Sequence, residues 1–159
     1  IKPIIGMVKL ALSEHYSVNK ESNEQTMAWE MKWYDEYHTI LVFTVNPTST
    51  WDDFHTAMNT YADELRKTDK VLHAIIYNEY GFLSANPVPH VKLQMAKLAE
   101  FSNKGLLITV SPKLPTGFLE SVAMLVLKFM DRTLKKGMFV KSMDASITRI
   151  QREQSAVAV

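Results

Sequence analysis

The sequence predicts an α/β protein with a mostly parallel sheet and an N-terminal antiparallel hairpin. Short runs that are apolar or that alternate between apolar and polar residues are typical of strands. Along the chain they are followed by longer stretches whose apolar residues recur with the period of a helix. The first two strand-like runs are a few residues apart, which favours a hairpin. The later runs are separated by helix-length stretches, which favour right-handed crossovers between parallel strands. The predicted element order is β-β-α-β-α-β-α-β-α, with the helices packed on the sheet.

Composition sets the first limits on function. The chain has 159 residues, of which 47% are hydrophobic, enough for a single-domain core. It has no cysteine, which excludes disulfides, thiolate catalysis and cysteine-ligated metals. No apolar run reaches the roughly 18–20 residues of a transmembrane segment, and Lys9 interrupts the run that most resembles a signal peptide. A cytoplasmic protein is therefore expected.

The chain is expected to contain an arm and linker (1–27), one domain (28–153) and a loose tail (154–159). The domain opens with AWEMKWY (28–34), which alternates between apolar and polar residues and predicts a half-exposed edge strand. The next run, TILVFTV (39–45), is more continuously apolar and predicts an interior strand.

The middle of the chain predicts two helices around a central strand. Residues 50–67 begin with residues suited to capping and then carry an apolar stripe formed by Trp51, Phe54, Met58, Tyr61 and Leu65. Residues 71–77 (VLHAIIY) predict the central strand. Residues 89–102 predict the second helix, and Gly105 is expected to end it.

The last part predicts a strand at GLLITVS, a third helix over 116–136, a short strand at MFVK and a closing helix capped by Ser142. The third predicted helix, here called the apolar segment, is apolar almost all round. Such a helix is either deeply buried or covered by another molecule. This makes Met124, Leu125 and Leu127 a candidate partner surface, covered either within the chain or by a partner.

These elements together resemble the STAS domain, the fold of bacterial anti-sigma-factor antagonists and of sulfate-transporter tails. The resemblance covers about residues 28–152. It rests on the opening hairpin, WDDFHTAMNTYADELRK after the second strand, HAIIYN as central strand, GLLITVS before the apolar segment, and FVKSMDASITRI at the end. The chain is similar in particular to a divergent STAS-like group of small bacterial proteins. The resemblance implies a regulatory module that binds proteins and has no enzymatic activity.

In antagonists of this family, a hydroxyl in the loop after the central strand is phosphorylated and partner binding is lost. The corresponding loop here reads NEYGFLSANP and lacks the family's Asp. Its candidate regulatory residues are Asn78, Glu79, Tyr80 and Ser84. A phosphate on Ser84 would lie near a helix N-terminus, which favours anions. The competing interpretation is that Ser84 and Asn86 cap a turn.

Charge is unevenly distributed: residues 1–69 hold 6 basic and 11 acidic side chains, and residues 70–159 hold 12 and 6. A candidate anion patch comprises Lys128, Arg132, Lys135 and Lys136. Cations near a helix C-terminus are also expected from the helix dipole alone. No nucleic-acid motif accompanies them, so nucleic acid is not an expected partner.

The leading hypothesis is a non-enzymatic STAS-like module that acts through a protein partner or through self-association as a homo-oligomer. One alternative is the binding of a lipid or small apolar ligand beneath the apolar segment. A second is an enzyme that uses the loop 78–90. The five histidines show no metal-ligand spacing, and His73 is expected to be a buried or edge histidine of the sheet with its hydrogen bonds satisfied. No cofactor is expected.

Overall fold

The structure is a computed structural model that describes residues 29–81, 86–113 and 139–157. Among these residues, five strands form one sheet: β1 (Glu30–Trp33), β2 (Ile40–Thr44), β3 (Leu72–Tyr77), β4 (Lys104–Val110) and β5 (Phe139–Val140). Three helices are described: α1 (Trp51–Arg66), α2 (Pro87–Leu98) and α3 (Met143–Val157). The strands lie side by side in chain order, β1 antiparallel to β2 and the remaining pairs parallel. The α/β class and the opening hairpin are confirmed.

Alternate side chains of the sheet form two cores. One contains Leu41, Phe43, Leu72, Ala74 and Ile76, which pack with the buried residues of α1 and α2. The other contains Ile40, Val42, Ile75, Ile108 and Val110, which pack with Ile150 of α3. Strands covered on both faces are buried along almost their whole length, as β2 and β3 are, whereas exposure alternates along β1 at the edge.

Each described helix begins at a residue that satisfies free backbone N–H groups. At α1, the Thr50 hydroxyl accepts from the Asp53 N–H, and the Asp53 carboxylate accepts from the Thr50 N–H, which is a capping box. At α2, the Asn86 side chain accepts from the Val88 N–H at 3.1 Å. At α3, the Ser142 hydroxyl accepts from the Ala145 N–H at 3.2 Å, as predicted.

The second helix differs from its prediction at both ends. It begins at Pro87 and ends at Leu98, and Gly105 is a residue of β4 rather than a helix stop. Pairing with β3 draws residues 104–110 into the sheet. The Asn103 side chain is held away from the helix because it donates to the carbonyls of Leu65 and Thr68.

The closing helix also exceeds its prediction. It continues to Val157, so residues 154–157 extend the helix and are not part of a loose tail. The arm 1–27 and the apolar segment lie outside the described residues.

A bulge between β3 and β4 explains the need for glycine at position 105. The register shifts between Leu72 and Ala74, and the Leu106 N–H donates to the Nδ1 atom of His73 at 3.0 Å. A Cβ at Gly105 would lie 2.5 Å from that Nδ1 atom and 2.8 Å from the Leu72 carbonyl oxygen. A side chain at position 105 would therefore disturb both the imidazole and the backbone of the central strand.

His73 is 1% exposed, and within the described residues its Nε2 atom has no hydrogen-bond partner. Burial disfavours the charged imidazole and lowers the pKa of His73 below its ordinary 6.5, against the opposing charge of Glu153. The predicted burial of His73 is confirmed, but among the described residues the prediction that its hydrogen bonds are satisfied holds only for the Nδ1 atom.

We expect the free energy of unfolding to fall as the pH is lowered below about 6.5. The unfolded chain takes up the proton at its ordinary pKa, whereas the folded chain resists it, so acid favours the unfolded state. For one such group the loss is at most about 1.36 kcal/mol per pH unit. Urea denaturation at about pH 7.5 and about pH 5.5 measures this loss of stability.

The matched variant is His73→Asn, which keeps an acceptor for the Leu106 N–H and does not titrate. The loss between the two pH values should be smaller in this variant, with the remainder coming from groups such as His55, whose pKa is also lowered. An equal loss in both proteins would contradict the role assigned to His73.

Candidate functional site at the carboxyl edge of the sheet

The carboxyl ends of β2, β3 and β4 meet at one edge of the sheet, which we call the carboxyl edge. There the pairing continues beyond the strands: the Val45 N–H donates to the Tyr77 carbonyl at 2.9 Å, and the Asn78 N–H donates to the Val110 carbonyl at 2.8 Å. The end of β3 is thus held on one side through Tyr77 and on the other through Asn78, the residue that follows the strand. Ligand and partner sites of α/β sheets gather at this kind of edge.

The loop after β3 is shaped by the side chain of Asn78. Its oxygen accepts from the N–H groups of Tyr80 and Gly81 at 3.0 and 3.2 Å, and its nitrogen donates to the Gly81 carbonyl at 2.6 Å. Gly81 has a φ of 99°, a conformation that suits glycine. The turn leaves Tyr80 57% exposed. The loop therefore presents an aromatic side chain from a backbone of defined shape.

Glu79 is held in place by two neighbours. The Tyr77 hydroxyl donates to one carboxylate oxygen at 2.7 Å, and the Lys113 ammonium contacts the other at 3.2 Å. The Tyr77 hydrogen bond, followed by Lys113, lowers the pKa of Glu79, and the same hydrogen bond raises the pKa of Tyr77. This arrangement ties the loop after β3 to the turn after β4.

A second cluster lies where α1 and α2 begin. The Nε2 atom of His55 is 2.9 Å from the Nδ1 atom of His90, and the Gln94 amide nitrogen is 2.6 Å from the Nδ1 atom of His55. The indole of Trp51 stacks on the His90 ring, with centroids 4.4 Å apart and planes 5° apart. Phe54 extends this aromatic contact toward Trp29. We call His55, His90 and Gln94 the imidazole cluster.

The structure brings part of the predicted site together. Asn78, Glu79 and Tyr80 form the ordered loop described above. The other candidate residues lie outside the described residues: Ser84, the partner surface of Met124, Leu125 and Leu127, and the anion patch of Lys128, Arg132, Lys135 and Lys136.

The imidazole cluster was missed from the sequence because its two histidines are 35 residues apart and match no ligand spacing. A usable signal exists, since each histidine lies near the start of a helix that follows one of two neighbouring parallel strands. Such helix starts meet at one edge of the sheet. The sequence contains no comparable signal for Gln94, because a glutamine on a helix is ordinarily exposed.

The opposite edge of the sheet contains a recess of about 390 Å³, lined by Trp33, Glu36, Tyr37, His38, Glu64, Lys67, Thr68, Lys70 and Leu72. Two of its cations already have partners. Lys67 contacts Glu64 at 2.6 Å, and Lys70 donates to the Tyr37 carbonyl at 3.4 Å. The recess thus offers a ligand less charge than its composition suggests, and the carboxyl edge is the stronger candidate.

Comparison with protein-family models, with curated proteins and with solved structures finds no match. Within residues 29–81, 86–113 and 139–157, no three side chains that commonly bind metals converge. Among the described helices, none has the length and apolarity needed to cross a membrane.

Replacement of Asn78 by Ala should loosen the loop after β3. Three hydrogen bonds are removed, each with a net worth of about 1 kcal/mol when fully formed. We expect the amides of Tyr80 and Gly81 to exchange with deuterium faster, by about tenfold or more, while the amides of β3 keep their protection.

The control is Asn46→Ala, which removes a side chain that accepts from the Thr48 N–H in the turn before α1. It should speed exchange in that turn and leave Tyr80 and Gly81 unaffected. If Asn78→Ala leaves exchange at Tyr80 and Gly81 unchanged, Asn78 does not shape the loop.

Proposed function

We propose that this chain is a STAS-like interaction module, without enzymatic activity, that binds a protein partner at the carboxyl edge of its sheet. The observation that carries the proposal is Tyr80, which is 57% exposed on a loop fixed by Asn78 and Glu79. Exposed aromatic side chains on pre-ordered backbone are the usual anchors of protein interfaces, since little entropy is lost on binding.

The described fold supports the same proposal. An opening antiparallel hairpin followed by parallel strands in chain order agrees with the architecture that the STAS resemblance implies. The resemblance implies that partner binding involves the loop after the central strand. Tyr80 occupies the loop in this chain, and the exposed Leu93 lies on the following helix.

The surface is suited to a protein more than to a small ion. Tyr80 is large and exposed, and the nearby charges of Glu79 and Lys113 contact one another. An aromatic anchor with a polar surround matches the common composition of interfaces between proteins. Regulation by phosphorylation of Ser84 is a further part of the family expectation and stays a prediction.

Replacement of Tyr80 by Ala should abolish or weaken partner binding without loss of fold. Tagged wild-type chain, Tyr80→Ala and Tyr37→Ala would each be used to capture partners from the native cell. Tyr37 is the matched control because it is 67% exposed in the turn between β1 and β2, at the opposite edge. The captured partner should be retained by wild type and Tyr37→Ala and lost by Tyr80→Ala.

Calorimetry with the purified partner measures how much the substitution weakens binding. Loss of an aromatic anchor costs about 2 kcal/mol or more, so the Kd of Tyr80→Ala should rise about 30-fold or more. Sedimentation velocity of the chain alone identifies the case in which the partner is a second copy. Equal affinities for wild type and Tyr80→Ala would refute the proposed interface.

A further inference from the structure

The imidazole cluster has a fixed direction of hydrogen bonding. A neutral imidazole has one N–H and one free lone pair. The Gln94 amide nitrogen is a donor, so the Nδ1 atom of His55 accepts and its Nε2 atom carries the proton. That N–H then donates to the Nδ1 atom of His90, 2.9 Å away. Both lone pairs of the two rings are therefore in use.

This arrangement has no free position for another proton. A proton added at Nδ1 of His55 would face the Gln94 N–H, and one added at Nδ1 of His90 would face the His55 N–H. Either addition sets two donors against each other and breaks a hydrogen bond between α1 and α2. Gln94 is 1% exposed, so the bond that it loses is not readily replaced by water.

We propose that Gln94, His55 and His90 form a proton-sensitive latch between α1 and α2, closed while both imidazoles are neutral and opened by proton uptake. Closure fixes the first turns of both helices against each other. Trp51 contributes to the closed state because it stacks on His90 and so orients that ring. The proposal does not depend on the identity of any partner.

The charges near the latch have opposing effects on the pKa of His55. Lys97 from α2 opposes a positive charge on His55, as do burial and the neighbouring His90, and Asp52 from α1 favours it more weakly. Burial is the largest of these effects, and the pKa of His55 is lowered accordingly. The latch should therefore stay closed near neutral pH and open in mild acid.

The two histidines are better assigned to a latch than to a metal centre. A structural or catalytic transition-metal site in a protein ordinarily has three or more side-chain ligands. No third ligand joins the pair within the described residues. Opening of the latch frees the first turn of α2, which follows the loop carrying Tyr80. If the proposed function holds, partner binding at this edge is sensitive to pH.

The first test measures protonation in the intact chain. Long-range nitrogen–proton NMR spectra of the histidine rings distinguish the two neutral forms of imidazole. At neutral pH, His55 and His90 should both carry the proton on Nε2 and present a bare Nδ1. A proton on Nδ1 of His55 in the neutral state would show that the Gln94 oxygen faces it, and the latch proposal would be wrong.

The second test measures opening by hydrogen exchange in the first two turns of α1 and α2. Between about pH 7.5 and about pH 5.5, protection corrected for intrinsic rates should fall about tenfold, the factor that corresponds to one lost hydrogen bond. The double variant His55→Gln/His90→Asn keeps an acceptor for Gln94 and a donor toward position 90 but takes up no proton in this pH range, so its protection should stay constant. His38→Gln is the control, because His38 stacks on Trp33 at the opposite edge.

Two results would overturn the latch. One is protection at these turns that stays constant while both rings become protonated, which would mean that the Gln94 amide turns over to accept the new proton. The other is an equal fall of protection in wild type and in the double variant His55→Gln/His90→Asn. Neither measurement requires a partner, so failure of the latch and failure of the proposed interface are separate outcomes.

Discussion

The double-sided pairing of β3 is the constraint on which the rest of the described structure depends. Its hydrogen bonds to β2 and β4 continue to the end of the strand through the Tyr77 carbonyl and the Asn78 N–H. Because β3 cannot shift without breaking both sets, the position of the following loop is determined. The turn at Asn78 starts from that fixed end and leaves Tyr80 exposed.

The opposite end of β3 is fixed by different contacts. The buried Tyr61 hydroxyl donates to the Leu72 carbonyl at 2.6 Å, and the Leu106 N–H donates to His73 across the bulge. Burial raises the pKa of Tyr61, so its hydroxyl stays protonated and remains a donor. Gly105 permits the imidazole to lie against β4. These contacts fix the register of β3 with β4, and the register determines where the two strands end at the carboxyl edge.

Much of this architecture is visible in the sequence, because its signals are local. The capping residues before α1 lie within three positions of the N–H groups they satisfy, and the apolar runs of β2 and β3 report burial on both faces directly. The end of α2 was predicted wrongly because Gly105 is also what the bulge beside His73 requires. Local rules cannot distinguish a glycine that ends a helix from one that makes room for a side chain 32 residues away.

The candidate site also has one part that local sequence signals predict and one part that they do not. The order of the loop after β3 follows from neighbouring residues, and Asn78, Glu79 and Tyr80 could be singled out from the sequence. The imidazole cluster depends on the face that each of two helices turns toward the other, which no local pattern specifies. The STAS resemblance, which rests on element order and composition, stays a prediction.

The central claim is that the carboxyl edge, through Tyr80, is the surface that meets a protein partner. A photo-crosslinking amino acid at position 80, with position 37 as the matched exposed site at the opposite edge, tests it most directly in the native cell. The account predicts a discrete crosslinked product from position 80, with another protein or a second copy, and none from position 37. Crosslinks at position 37 with none at position 80 would contradict it.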